Sequence, residues 1–201
     1  MKKVFFDTEF TGLHKNTTLI SIGIIFDTGE TLYAELTDYD ETQIDEWLNN
    51  NVIKNLKLQN MENNTIKYEN DMQTKYIKGH KKFVSNEINC WIEFINRKHY
   101  YYKKIEFWSD CLAYDLVLLN DLLADYKNGY PELPKYIYYI PFDICTLFKI
   151  KGIDPDINRE EFAKNGKNFW FTEEEKHNSL FDAKIIKMCY DKLMKINNRL
   201  F

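Results

Sequence analysis

The segment Val4-Phe5-Phe6 is apolar enough to be an interior strand, yet it runs without a break into Asp7-Thr8-Glu9. Side chains on a strand alternate faces, so positions two apart point the same way. Asp7 and Glu9 therefore stand side by side at the end of a hydrophobic strand. Two like charges held that close are costly unless something positive joins them, and a divalent cation is the usual partner. The competing account is a polar loop after the strand, with both carboxylates in water.

The next part of the chain supplies neighbours for that strand. TGLHKNTT reads as a turn, and LISIGIIF (19–26) as a second strand, nearly continuous in apolar residues. Asp27-Thr28-Gly29-Glu30 is a hairpin turn of the Asp-x-Gly kind, and TLYAELT (31–37) a third strand. DETQIDEWLNNNVIKNL reads as one or two short helices. MENNTIKYENDMQ is polar and rich in Asn, which predicts a loop or mobile insertion around 55–80. Phe83, Ile88, Trp91, Ile92 and Ile95 then fall near helical spacing.

KIEFWS (104–109) reads as a fourth strand and residues 113–126 as a helix with Leu116, Leu119, Leu122 and Leu123 inward. YIYYI (136–140) reads as a fifth strand, Asp143 as the cap of a short helix ICTLFKI, and residues 151–171 as an irregular connection. A last helix runs from Ser179 to about Asn197. Three antiparallel strands followed by alternating helix and strand give an α/β fold: a mixed five-stranded sheet flanked by helices. The whole chain, 1–201, is expected to be one domain.

Composition narrows the classes. The net charge of -4 argues against coating duplex DNA by charge alone, but leaves room for a small nucleic-acid cleft. No apolar run approaches a membrane span, and the amino-terminal run stops at Asp7, unlike a signal peptide. Cys90, Cys111, Cys145 and Cys189 form no CxxC pair and read as reduced core or near-core thiols of a cytoplasmic protein. There is no glycine-rich phosphate loop of either common pattern.

Two more acids stand out. Asp115, in CLAYDLVLL, opens the helix after the fourth strand, where an acid also favours the helix dipole. Asp182 lies in HNSLFDA, five residues after His177, where the last helix begins; Ser179 and Asp182 also have the spacing of a capping box. Taken in order, Asp-x-Glu at the end of the first strand, Asp after the fourth, and His-x-x-x-x-Asp at the last helix resemble the DEDDh branch of the DnaQ-like 3′–5′ exonucleases, which have a ribonuclease H-like fold. DTEF…LISIGIIF with AYD and HNSLFDA is most similar to the small bacterial 3′–5′ exoribonuclease group typified by a mycobacterial enzyme. The resemblance spans residue 4 to about 190.

It implies hydrolysis of a single-stranded 3′ end to nucleoside 5′-monophosphates, with RNA as the expected strand. It assigns Asp7, Glu9, Asp115 and Asp182 to two divalent cations, Mg²⁺ or Mn²⁺, and His177 to general base on the attacking water. Hard cations favour carboxylate oxygen, two of them can clamp an in-line displacement, and an imidazole is mostly neutral at working pH. It also points to Phe10, Thr11 and Leu13 as holders of the terminal nucleotide, with Leu13 a wedge against the last base; core packing is the other account of Phe10 and Leu13. Basic stretches 78–82 and 97–104 are candidate strand guides.

Many relatives carry Asn four or five positions before the middle acid. This chain has Asp110 and Cys111 there, and Asp110 reads as a group behind the metal ligands, an extra acid or a solvent contact. Single-stranded DNA is the nearest alternative substrate, and a binding module that has kept the fold is the non-enzymatic one. A homodimer is expected from the look-alikes.

Overall fold

The structure is a computed structural model that describes residues 2–69, 73–100, 103–127, 130–164 and 176–196. Strands β1 (Lys2–Phe10), β2 (Leu19–Phe26) and β3 (Thr31–Leu36) form an antiparallel meander. Helix α1 (Glu46–Asn51) follows, then a hairpin of β4 (Thr65–Glu69) and β5 (Thr74–Gly79). The long helix α2 (Lys81–Tyr100) leads to β6 (Ile105–Ser109) and α3 (Leu112–Leu123). A small hairpin, β7 (Asp125–Lys127) with β8 (Tyr130–Glu132), precedes the two-residue β9 (Phe142–Asp143). Helices α4 (Ile144–Ile150), α5 (Arg159–Ala163) and α6 (Ser179–Leu193) complete the fold.

The main sheet has the order β4-β5-β3-β2-β1-β6-β9. The β3–β5, β1–β6 and β6–β9 pairs are parallel. This is the expected mixed α/β architecture, ribonuclease H-like, with seven strands where the sequence reading has five. All eight residues of β2 are buried, as a strand covered on both faces requires. One face carries α2 and α3: Val4, Phe6, Ile22 and Ile24 pack with Ile88, Trp91, Leu119 and Leu123. The other carries α4, α5 and α6, with Phe5 and Ile25 against Phe148, Ala163, Ile186 and Tyr190.

Three expectations are corrected. The insertion around 55–80 is not simply a loop: residues 65–69 and 74–79 extend the sheet through β5, parallel to β3, while 70–72 lie outside the described residues. Its Asn content hides the alternation Thr74-Lys75-Tyr76-Ile77-Lys78. In that stretch Ile77 is fully buried and Lys75 Nζ reaches the Glu87 carboxylate at 2.7 Å. The fifth strand is not 136–140: Ile137 makes one bridge to Ile105, and β9 takes the place beside β6. Tyr139 is 74% exposed, and Pro141, which has no N–H for a ladder, separates the two stretches. Of the four free thiols, Cys189 is buried and Cys145 partly so, but Cys90 and Cys111 are on the surface. No helix among the described residues is long and apolar enough to cross a membrane.

Candidate active site

Alternation along β1 sends Phe5, Asp7 and Glu9 to the α6 face, so the two acids continue a row that begins in the core. What brings Asp182 to them is Gly23. It pairs with Asp7 across β1–β2, and a Cβ there would lie 2.2 Å from backbone atoms of Ser179 and Leu180. The first turn of α6 therefore rests directly on the sheet. A hydrogen bond between the Ser21 and Ser179 hydroxyls, 3.0 Å, fastens it there. Ser179 is buried inside the helix rather than capping it; the cap is Asn178, whose Oδ1 accepts from the Phe181 N–H. In this setting one carboxylate oxygen from each of Asp7, Glu9 and Asp182 lies within 4.8 Å of the others.

A second triad forms on the other side of Asp7. Asp115 is buried at the start of α3, where it accepts hydrogen bonds from Thr8 Oγ1 at 2.6 Å and from the Cys111 N–H at 3.3 Å. Oxygens of Asp7, Asp110 and Asp115 also lie within 4.8 Å of one another, so Asp7 belongs to both sets. Asp110 therefore lies beside the other acids rather than out in solvent. It has a cationic neighbour: Arg159 Nε lies 3.3 Å from its Oδ2. That guanidinium donates from Nη2 to Cys145 Sγ and lies over the Phe148 ring.

Burial and then repulsion from Asp115, Asp182, Glu9 and Asp110 hold the Asp7 carboxyl well above its ordinary range. Burial and Asp115 push Glu9 up to about 8. Asp115 is raised to about 7, burial outweighing its hydrogen bond from Thr8. Asp182 is raised by burial and then by Glu9. Among the described residues no hydrogen-bond donor serves Asp7, Glu9 or Asp182. Five oxygen-donor side chains, clustered and short of positive charge, fit hard divalent cations and little else.

His177 sits in the turn before α6 with a left-handed φ of 54°, a conformation uncommon for residues with a side chain. Burial, then Lys176, lowers its pKa, which favours the neutral imidazole. Its ring meets the edge of Trp47 at 5.2 Å between centroids. Trp47, on α1, is 54% exposed, and nothing in the motifs singles it out. Its only sequence signal is a large aromatic at a solvent position of a short helix. Arg159 is equally silent, lying in a stretch that reads as irregular.

Of the three expected nucleotide holders, Leu13 stands out of the protein, 71% exposed. Phe10 stacks on Tyr114 at 5.4 Å and packs against the core. Thr11 is buried, its hydroxyl accepting from Thr18 N–H and donating to Gln43 Oε1. The basic stretch 78–82 holds the chain together: Lys78 binds the carbonyls of Leu58 and Gln59, and Lys81 pairs with Asp121. In the other stretch, residues 101–102 lie outside the described residues.

A mixed sheet with acids converging on the end of its first strand, from that strand, from the β6–α3 junction and from the last helix, defines a protein of the ribonuclease H-like class. Within that class the chain belongs to the 3′–5′ exoribonuclease Rv2179c-like domain family, whose profile matches residues 2–194. The resemblance read from the motifs, to the mycobacterial exoribonuclease group, is thereby borne out. A comparison with curated proteins finds no match.

Proposed function

We propose that this protein is a metal-dependent 3′–5′ exoribonuclease that releases nucleoside 5′-monophosphates from single-stranded RNA. The observation that carries this reading is the pair of carboxylate triads sharing Asp7. Asp7, Glu9 and Asp182 would hold one divalent cation, and Asp7, Asp110 and Asp115 a second, Mg²⁺ or Mn²⁺ being the hard ions that suit such oxygens. Cations held there supply positive charge against the phosphate oxygens and the departing 3′ oxygen. Asp110 thus joins the four acids that the motifs assign.

His177 is the general base. Its neutral ring takes a proton from water as the water oxygen bonds to phosphorus, and the bond from phosphorus to the 3′ oxygen of the preceding nucleotide breaks. The phosphate leaves on the 5′ side of the released nucleotide. Trp47 packs against the imidazole on one side. Leu13 presses against the last base, a reading supported by its exposure, and Phe10 supports the turn that carries it.

The test is digestion of RNA and DNA oligonucleotides labelled at the 5′ end, single-stranded and duplex, with Mg²⁺, with Mn²⁺ and with chelator. The expected result is a ladder shortening from the 3′ end of single-stranded RNA only when metal is present, with nucleoside 5′-monophosphates identified by mass. Activity in chelator, or a preference for DNA, would overturn the corresponding part of the reading.

A further inference from the structure

Of the five clustered acids, Asp110 alone lies outside a strand or helix. Asp7 and Glu9 are fixed by the ladder of β1, and Asp115 and Asp182 by the first turns of α3 and α6. Asp110 falls in the junction between Ser109, where β6 ends, and Leu112, where α3 begins. A junction has no repeating ladder or helical turn to aim a side chain. Yet an oxygen of its carboxylate lies within 4.8 Å of oxygens of Asp7 and Asp115. Something other than local backbone aims it, and Arg159, from α5, is the group in place.

Arg159 Nε and Asp110 Oδ2, 3.3 Å apart, form an ion pair without a hydrogen bond, and the two side chains are only 19% and 23% exposed. Salt screens a partly buried pair of this kind less than a surface one. The guanidinium is itself held from other sides. Nη1 donates to the Ile157 carbonyl at 2.5 Å and Nη2 to Cys145 Sγ at 2.9 Å, with the Phe148 ring 5.0 Å away. The main-chain carbonyl of Arg159 accepts from Cys189 Sγ on α6 at 3.3 Å. The Cys145 thiol in turn donates to the Asp110 carbonyl at 3.2 Å. One sulfur thus joins the arginine to the main chain of the acid with which it pairs. A rigid planar cation fixed in this way sets the direction of a carboxylate rather than following it.

We infer that Arg159 is a positioning residue for the second cation: it draws Oδ2 of Asp110 to itself and so keeps Oδ1 turned toward the site shared with Asp7 and Asp115. This rests on the metal reading above and adds to it a residue that acts through a ligand rather than as one. Two effects oppose each other here. The guanidinium charge repels a cation, whereas its hold on Asp110 supplies a ligand already aimed. The negative carboxylate stands beside the guanidinium and offsets the repulsion. Losing the partner behind a metal ligand typically weakens metal binding about 10–100-fold. Positioning therefore wins, and the second site binds its cation more tightly with Arg159 than without it.

The test is Mn²⁺ uptake by calorimetry, without RNA, in the parent, in Arg159→Met, in Asp110→Asn and in the double variant. Methionine keeps apolar packing on Phe148 and removes the charge and the fork. The parent should bind two ions. Arg159→Met should weaken one of them about 10–100-fold and leave the other within about twofold. Asp110→Asn should weaken the same one, and adding Arg159→Met to it should change its affinity by no more than about twofold, because the arginine acts through that acid. Electron paramagnetic resonance gives a second readout: the spin coupling of two neighbouring Mn²⁺ ions should be lost in Arg159→Met at a concentration that loads both sites of the parent. If Arg159→Met does not fold, Arg159→Lys, which keeps the charge without the fork, takes its place and should shift the affinity in the same direction. Equal affinities in parent and variant overturn the inference and leave the metal reading intact, as do tighter binding in the variant or full additivity with Asp110→Asn. A parent that takes up no Mn²⁺ overturns the metal reading, and the inference with it.

Discussion

Glu9 and Glu35 stand in one cross-strand row, each paired with Ser21 between them, and both carboxyls are raised by burial. Their surroundings are opposite. Glu35 Oε1 accepts from the Tyr33 hydroxyl at 2.9 Å and from the backbone N–H groups of Lys57 and Leu58 at 2.7 and 2.9 Å. Glu9 faces other acids. The sheet therefore tolerates a buried carboxylate when donors are built around it, and among the described residues Glu9 has none. Glu35 fastens the segment after α1 to β3, whereas at Glu9 the cation proposed above would take the place of such donors.

Neutralising each glutamate should separate the two roles most sharply. Glu9→Gln should cut nuclease activity about 10³-fold or more and raise the thermal midpoint of the metal-free protein, because repulsion is relieved. Asp182→Asn should do the same. Activity within a few-fold of the parent would remove either residue from the metal site.

Next in size is His177→Ala, expected to lose about 10²–10⁴-fold in rate while calorimetry still detects Mn²⁺ uptake. The parent rate should rise with pH to a plateau, with a midpoint below the ordinary histidine value of about 6.5, because burial lowers this pKa. The variant should lack that limb. Metal uptake lost together with activity would make His177 a ligand or a structural residue.

A third measurement concerns stability without metal. A glutamate carboxyl titrates at about 4.3 in the unfolded chain, whereas Glu9 in the folded protein titrates at about 8. The folded state thus keeps protons that the unfolded state has released, and its stability falls as pH rises between those values. The thermal midpoint in chelator should therefore drop from about pH 5 to about pH 8, and Mn²⁺ should abolish the drop. A flat profile in chelator would mean that the acids already have partners.

The smallest effect is expected at Glu35→Gln. The amide oxygen can still accept from the same three donors but without the charge that strengthens them, at a cost of about 1–3 kcal/mol. Denaturant unfolding would show it, while turnover of a dinucleotide stays within twofold. A large loss of turnover would place Glu35 in the reaction.

The same contrast explains how much of the site is legible in the sequence. Asp7, Glu9, Asp115, Asp182 and His177 can be read because each sits in a short local pattern: alternation on a strand, or position in a first helical turn. Asp110 can be flagged but not assigned, since its company with Asp7 and Arg159 depends on the packing of β6 and α5. Trp47 and His177 lie far apart along the chain, and no local pattern records their meeting. The β4–β5 hairpin is hidden for another reason. On Thr65–Glu69 most side chains are exposed, so polar composition masks a strand held by its backbone ladder.

Gly23 bears on how this sequence can drift. Its neighbours Ile22 and Ile24 point into the other layer, where exchanges among branched aliphatic residues of similar volume are absorbed by repacking. At position 23 the obstacle is main chain, at 2.2 Å, and no rotamer change moves it aside. A saturation library of β2 should show a blank column at 23 between two permissive ones. Any lineage that fills that position must also re-seat α6, and so give up the spacing between Asp182 and Asp7.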